Sequence, residues 1–233
     1  MAKIKYSALV SDMRNKLNGS VASKNRYGSY LRNKVTPVNP QTTYQQAVRQ
    51  MLGSLSSQYR GLTPAQRQSW INGSQNFPFT DIFGDVRHLS GQTLYVKLNT
   101  NLINAGESPI ESAPLPVGIP EFAATGLTAE VTAGVITELS VATSADTVPA
   151  GFVLAVYATP PLSPSIDFVK NRIRYIGNVT AAAGEADILA LYTARFGDSA
   201  IVGERITVRV ALISTATGQQ GVPSEVRAFT EAG

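Results

Sequence analysis

The sequence predicts an α+β protein with two domains, in which a helical N-terminal half precedes a β-sandwich. Apolar residues recur at helical spacing before residue 106, whereas alternation with a period of two dominates after residue 122. Between these regions, residues 106–120 contain four prolines and no hydrophobic period. We therefore expect a basic arm and helical docking domain over residues 1–106, a proline-rich linker over 107–121 and a sandwich over 122–233.

The first predicted element is a β-hairpin or extended arm over residues 19–34. Two short runs with partial alternation flank a basic tip at residues 24–26, and Gly28 follows the tip. This pattern is typical of a β-hairpin or an extended arm with a basic tip.

Three helices are predicted in the rest of the first half. The first begins at Asn39 and Pro40, because asparagine caps a helix well and proline fits the first turn. Its apolar residues follow at helical spacing and are Tyr44, Val48, Met51, Leu52, Leu55 and Tyr59.

The second helix begins after Thr63, where Gln66 three residues later completes a capping box, and ends near Gly73. The third runs from about Ser90 to residue 105 and stops at Gly106, a typical C-terminal glycine.

The second half predicts an immunoglobulin-like or fibronectin-III-like β-sandwich with one short helix. Six alternating segments separated by turn residues lie at residues 126–132, 135–143, 151–159, 171–180, 204–214 and 223–230. One segment departs from this period. Residues 186–196 have helical spacing and end at Gly197, so we expect a short helix that caps one end of the sandwich.

Charge is unevenly distributed between the two halves. Residues 1–106 contain 13 Lys or Arg and 3 acidic residues, a net charge of +10, and no Glu. Residues 107–233 contain 7 Lys or Arg and 13 acidic residues, a net charge of −6. Such segregation indicates that the halves face different partners, the basic half contacting nucleic acid or an acidic protein surface. The alternative is composition drift between two domains.

Few residues are suited to catalysis. The chain has no Cys and a single His, His88, which excludes thiolate chemistry and leaves too few ligands for a zinc site. Asp85 and Ser90 lie near His88, but no nucleophile elbow accompanies them. No phosphate-binding loop or calcium loop is present either. We expect no catalytic, cofactor-binding or metal-binding residues, and therefore no enzyme.

Basic and aromatic residues of the arm, with two phenylalanines of a later loop, form the predicted docking set. Its members are Lys24, Arg26, Tyr27, Tyr30, Arg32, Lys34, Phe77 and Phe79. Arg and Tyr are enriched at the centres of protein interfaces, which favours protein docking. Phosphate contact with base stacking remains an alternative, as does a solvated hairpin that packs on the helices. The three phenylalanines of residues 77–84 need a core or a partner to cover them.

Several motifs of the first half occur together in one known group of proteins. Residues 25–32 read N-R-Y-G-S-Y-L-R, residues 37–42 read P-V-N-P-Q-T, residues 62–70 read L-T-P-A-Q-R-Q-S-W and residues 90–99 read S-G-Q-T-L-Y-V-K-L-N. This succession resembles structural proteins of tailed bacteriophages, including crAss-like and related phages of Bacteroidetes. The resemblance covers residues 1–106; the second half matches only in architecture and in the strand at residues 203–210.

The resemblance implies a non-enzymatic virion structural protein without cofactors. A capsid auxiliary or decoration protein that docks through its basic N-terminal region is the first expectation, and a head–tail connector or tail-surface protein is the second. The implied partners are other virion proteins and further copies of this chain in the particle, with packaged DNA as an additional contact. We expect no membrane partner, and a location in the virion after synthesis in the host cytoplasm.

A function from another class also fits a sandwich. A glycan-binding adhesin of the host surface would use exposed aromatic rings, for which Tyr157, Phe168 and Tyr175 are candidates. Tyr157 and Tyr175 lie within predicted strands, and a place in the core is the simpler expectation for both.

Overall fold

The computed structural model describes residues 2–3, 5, 10, 12–25, 28–36, 38–80 and 85–233. Within these residues the chain is mixed α+β, with four α-helices and several sheets. It divides into two compact units, Met1–Ala47 and Val48–Gly233. The helices after residue 48 thus belong to the same compact unit as the strands of the second half. In the described part of the chain, no helix has the length and apolar character needed to cross a bilayer.

The N-terminal unit contains one four-stranded antiparallel sheet. Its strands are β1 (Ala2–Lys3), β2 (Asn15–Leu17), β3 (Ser20–Asn25) and β4 (Gly28–Asn33), in the spatial order β1-β4-β3-β2. The central pair, β3 and β4, forms the predicted hairpin, with Ser20 opposite Asn33 and Asn25 opposite Gly28. A tight turn joins β2 to β3, in which Asn18 has a positive φ of 49°.

Three helices follow, and two of them begin and end where their caps predict. They are α1 (Thr43–Gly61), α2 (Pro64–Gly73) and α3 (Gly91–Ala105). The Thr63 hydroxyl accepts a hydrogen bond from the Gln66 backbone N–H at 3.3 Å, and the Gln66 side chain accepts one from the Thr63 N–H at 2.9 Å. The capping box at α2 is therefore confirmed.

The predicted start of α1, with Asn39 as its cap, was wrong by three residues. Gln41 has a φ of 48°, in the left-handed region, so a right-handed helix cannot continue through it. The helix begins after Thr42 instead, whose hydroxyl accepts a hydrogen bond from the Gln45 N–H at 3.3 Å.

Two four-stranded sheets make up most of the second half. The first, here the long sheet, contains β9 (Phe152–Ala158), β10 (Arg174–Val179), β12 (Arg205–Ser214) and β13 (Ser224–Phe229), in the order β10-β9-β12-β13. The second, here the acidic sheet, contains β7 (Ala124–Thr132), β8 (Val135–Thr143), β11 (Glu185–Asp187) and β14 (Glu231–Ala232), in the order β11-β8-β7-β14. A short ribbon of β5 (Phe79–Thr80) and β6 (Val86–Arg87) precedes α3.

One core joins the two sheets. It contains alternate residues of β8, such as Leu139 and Val141, and alternate residues of β12, such as Val208 and Val210.

All six predicted strands exist, and their ends are shifted by no more than three residues. The predicted helix over residues 186–196 is α4 (Leu189–Phe196), whereas residues 185–187 form β11 on the edge of the acidic sheet.

Helix α3 lies against the long sheet and the loop that follows β12. The Asn101 side chain donates a hydrogen bond to the Gly218 carbonyl at 2.8 Å, and the Tyr175 hydroxyl donates one to the Asn104 carbonyl at 2.8 Å. The segment predicted as a linker also contacts these elements, since the Val117 N–H donates to the Gln219 side chain at 3.0 Å. The long sheet is thus covered by the acidic sheet on one face and in part by α3 on the other.

Candidate interaction surface

The pairing register of the N-terminal sheet brings cationic and aromatic side chains to one face. Val21 of β3 lies opposite both Lys16 of β2 and Arg32 of β4, and Ser23 lies opposite Tyr30. Residues directly opposite each other in a sheet project to the same face, and so do residues two apart in one strand. Lys16, Tyr30 and Arg32 therefore share one face, called here the cationic face.

Little negative charge opposes the cationic face within its own unit. Residues 1–47 contain eight Lys or Arg and one acidic residue, Asp12, a net charge of +7. The Asp12 carboxylate pairs with the Arg14 guanidinium at 2.9 Å, and both side chains are largely exposed. Lys16 and Arg32 are exposed and Tyr30 is half-buried. The arrangement suits an anionic partner that covers the Tyr30 ring and approaches Lys16 and Arg32.

The other predicted residues of the arm do not all join this face. Lys24 lies opposite Ser29, one residue out of step with Tyr30, and therefore projects to the other face. Lys34 follows β4, where its backbone N–H donates to the Gly19 carbonyl at 2.8 Å and its side chain is exposed. Arg26 and Tyr27 lie outside the described residues.

The two phenylalanines of the predicted docking set have different environments. Phe77 is half-buried and packs against the helical core. Phe79 lies in β5 opposite Arg87, and its side chain is 39% exposed. Of these two, only Phe79 offers substantial area to a partner. Phe83, the third aromatic residue of this loop, lies outside the described residues.

Trp70 is a core residue rather than an interface anchor. Its side chain is fully buried, and its ring packs edge-on against Tyr95 with the ring centroids 5.2 Å apart. The indole N–H donates a hydrogen bond of 2.7 Å to the Glu111 carbonyl. These contacts hold α2, α3 and the following segment together.

The residues around His88 do not form a catalytic arrangement. The Ser90 hydroxyl caps α3 by accepting a hydrogen bond from the Thr93 N–H at 3.2 Å, and His88 Nδ1 lies 3.3 Å from the Ser74 carbonyl oxygen. Asp85 is 3.9 Å from Arg87 across an exposed pair. In the described ranges, no group of three His, Asp or Glu side chains is placed to hold a metal ion.

Two of the candidate glycan-binding rings are occupied by internal contacts. The rings of Tyr157 and Tyr175 pack against each other with centroids 5.5 Å apart. Burial, with a smaller contribution from Tyr157, raises the pKa of Tyr175 to about 12. Phe168 is different, because 68% of its surface is exposed.

A second charged surface, which the sequence did not predict, lies on the acidic sheet. The register places five carboxylates on one face: Glu130, Glu138, Glu185, Asp187 and Glu231. None of its four strands contains a Lys or Arg. The signal in the sequence is a period of two between acidic or polar residues, as in residues 138–140 and 185–187. Only the pairing of strands distant in sequence unites these carboxylates on one surface.

Comparisons with known proteins assign no family to the chain. It matches no family model, no curated protein and no solved structure. Its function is therefore inferred from its own residues. The two features with functional character are the cationic face of the N-terminal sheet and the carboxylate-bearing face of the acidic sheet.

Proposed function

We propose that this chain is a non-enzymatic structural protein of a tailed-bacteriophage virion, a capsid auxiliary or decoration protein. It docks on neighbouring virion subunits through its basic N-terminal region. The observation that carries this proposal is the cationic face, where Lys16, Tyr30 and Arg32 meet in a unit of net charge +7. The motifs of residues 25–99, which resemble phage structural proteins, give the proposal its biological context.

Docking through the cationic face has a simple physical basis. Exposed cations attract an acidic surface over several ångströms and orient it, while a ring at the centre of the contact loses its water and supplies affinity. Tyr30 is suited to the second role, since it is half-buried beside Arg32 in the same strand. Arg32 adds a planar donor group that matches a carboxylate in a bidentate pair.

The second half would serve as the projecting or connecting module of the particle. We infer that the second half folds as an immunoglobulin-like or fibronectin-III-like sandwich, which is a more specific class than mixed α+β. One observation supports it: two four-stranded sheets share one core. In this arrangement the second half, residues 122–233, has its own core.

A head–tail connector or tail-surface protein would use the same docking chemistry. Identical subunits in a particle are arranged by its symmetry. A connector or tail position therefore differs from a capsid position in its symmetry and in the number of copies. Stoichiometry in purified particles therefore separates them: a decoration protein is present in many more copies than a connector ring.

A glycan-binding adhesin is the second candidate, and the exposure of Phe168 is the observation that favours it. An exposed ring can stack on the apolar face of a sugar. Binding of the full chain to a glycan array, lost in Phe168→Ala, would support this candidate. Absence of binding on the array would remove it.

Particle incorporation tests the proposed function directly. The variant Lys16→Gln/Arg32→Gln removes two charges from the cationic face, and Lys170→Gln/Arg172→Gln removes two exposed charges elsewhere. We expect the first variant to be depleted from purified particles at least about tenfold, equivalent to about 1.4 kcal/mol of binding free energy, and the second to be incorporated normally. Equal incorporation of both variants would contradict docking through this face.

Contact with packaged DNA makes a separate prediction for the same cations. Nucleic-acid binding weakens steeply as salt rises, because each neutralised phosphate releases counterions. If the cationic face contacts DNA, Lys16→Gln/Arg32→Gln will reduce the salt slope of DNA binding by the full chain by about two. Binding that is absent at low salt, or unaffected by this variant, would leave protein docking as the role of the face.

A further inference from the structure

An open depression lies beside β8 and β11 of the acidic sheet, and three carboxylates are among the residues that line it. Glu138, Glu185 and Asp187 line a concavity of about 530 Å³ and are exposed to solvent. Asp187 and Ser140 lie directly opposite each other on β11 and β8. One Asp187 oxygen accepts a hydrogen bond from the Leu189 N–H at 2.9 Å.

Ser140 is an independent sign that this depression receives a donor group. The residue is only 5% exposed, it lines the same concavity, and its hydroxyl oxygen has no hydrogen-bond partner among the described residues. Buried polar atoms without partners are uncommon, because each costs about 1–3 kcal/mol. The hydroxyl oxygen is sealed from solvent, so a cation between the carboxylates would bond it after a local rotation of the side chain.

Three carboxylates of this face occupy directly opposed positions in the sheet. Glu130 lies directly opposite Glu138 on β8 and opposite Glu231 on β14. Like charges in directly opposed positions destabilise a sheet, and no cation in these strands compensates them. A cationic partner that covers the face would remove this repulsion.

We propose that the acidic sheet receives the cationic face of a second copy of this chain. The proposal rests on the proposed function and names the partner of the N-terminal region. Charge complementarity selects this partner: residues 1–47 carry a net charge of +7, whereas residues 107–233 carry −6. Arg32 or Lys16 of one copy enters the depression of Glu138, Glu185 and Ser140 on the next.

The proposed contact joins two different surfaces and is therefore heterologous. Each copy presents one cationic face and one acidic sheet, so a contact between copies leaves a free surface of each kind at the ends. Repetition of such a contact closes into a ring or continues as a filament. The two surfaces thus allow one type of chain to form an extended row of subunits.

Paired charge reversals test this contact with the full-length protein. One variant, Glu138→Lys/Glu185→Lys, reverses the acidic sheet. The other, Lys16→Glu/Arg32→Glu, reverses the cationic face. Sedimentation velocity at an ionic strength of about 0.05 M measures self-association, because exposed charges are screened less at low salt. The matched controls Glu107→Lys/Glu121→Lys and Lys170→Glu/Arg172→Glu change equal numbers of exposed charges elsewhere.

We expect wild type and both controls to associate as concentration rises, and each reversed variant to associate at least about tenfold more weakly. An equimolar mixture of the two reversed variants should recover association, because each supplies the surface that the other has lost. Far-ultraviolet circular dichroism checks folding, and Glu138→Gln/Glu185→Gln provides a milder variant with an intermediate loss.

A mixture that associates as weakly as its separate components would overturn the proposal. Wild-type protein that stays monomeric at every concentration, or that associates only when DNA is added, would overturn it as well. These outcomes concern contact between copies and can be separated from failure of the proposed virion function. Normal incorporation into particles without association between copies would leave a virion role and remove the self-contact.

Discussion

Glu130 on β7 lies directly opposite Glu138 on β8, and neither strand contains a cation. Two carboxylates in register on one face are an unfavourable pair in an isolated sheet. Positive charge that approaches this face from outside the sheet would weaken such repulsion. This relationship links the stability of the free protein to the occupancy of its acidic face.

Glu138→Gln should therefore stabilise the free protein. Removing one member of the pair is expected to raise the free energy of unfolding by about 0.2–1 kcal/mol, measured by urea denaturation at low salt. Glu121→Gln neutralises an exposed acid outside the sheet and serves as the control. The gain should shrink at high salt, because salt screens exposed charges. A loss of stability in Glu138→Gln would show that the pair is not repulsive.

Trp70→Phe should destabilise the helical region. The substitution keeps an aromatic ring but leaves the Glu111 carbonyl without the indole donor that lies 2.7 Å away. We expect the free energy of unfolding to fall by about 1–3 kcal/mol, measured by circular dichroism during urea denaturation. Ile71→Ala, at the adjacent half-exposed position of α2, should change it by no more than about 0.5 kcal/mol. Similar losses in both variants would argue against a special role for Trp70.

Gly218→Ala adds a single methyl group but should lower the free energy of unfolding strongly. Gly218 has a φ of 70°, and an added Cβ would overlap the Leu98 carbonyl of α3. Gly203 also has a positive φ, of 89°, but open space surrounds its Cβ position. Gly203→Ala should cost about 1–2 kcal/mol from backbone strain. Gly218→Ala should cost about 1–3 kcal/mol more, because α3 must move. Equal thermal stabilities would contradict the close packing of α3 on this loop.

Tyr175 should make stability fall at alkaline pH. Burial raises the pKa of its hydroxyl from 10.0 to about 12, so the folded state holds a proton that the unfolded state releases. The stabilisation is complete below pH 10 and is lost as pH rises towards about 12. Tyr175→Phe should weaken the dependence of the unfolding free energy on pH in this window. Identical pH profiles for wild type and Tyr175→Phe would contradict this assignment.

Local chemistry explains which elements were predictable. The N-terminal ends of α2 and α3 follow from side chains that bond backbone N–H groups left free at the start of a helix. Thr63 and Gln66 do so at α2, and Ser90 does so at α3. The start of α1 was misplaced because a left-handed Gln41 interrupts a favourable cap sequence. Strand positions followed from alternation. The short strands β1, β2 and β14 were missed, because two or three residues are too few to establish a period.

The interaction surfaces were only partly predictable. Sequence indicated that the arm is basic and aromatic, but the register decides that Tyr30 and Arg32 share a face while Lys24 projects to the other. The acidic face depends on pairing between strands that are about 45 to 100 residues apart in sequence, which no local pattern specifies. The burial of Trp70 likewise depends on contacts with Tyr95 and Glu111 that are remote in sequence.

We propose that the cationic face of the N-terminal sheet holds this chain in the virion. Quantitative mass spectrometry of purified particles, produced with wild-type protein or with Lys16→Gln/Arg32→Gln, measures whether it does. We predict a fixed, multiple copy number for wild type and a depletion of at least about tenfold for the variant. Absence of the wild-type chain from particles, or equal amounts of both proteins, would contradict the account.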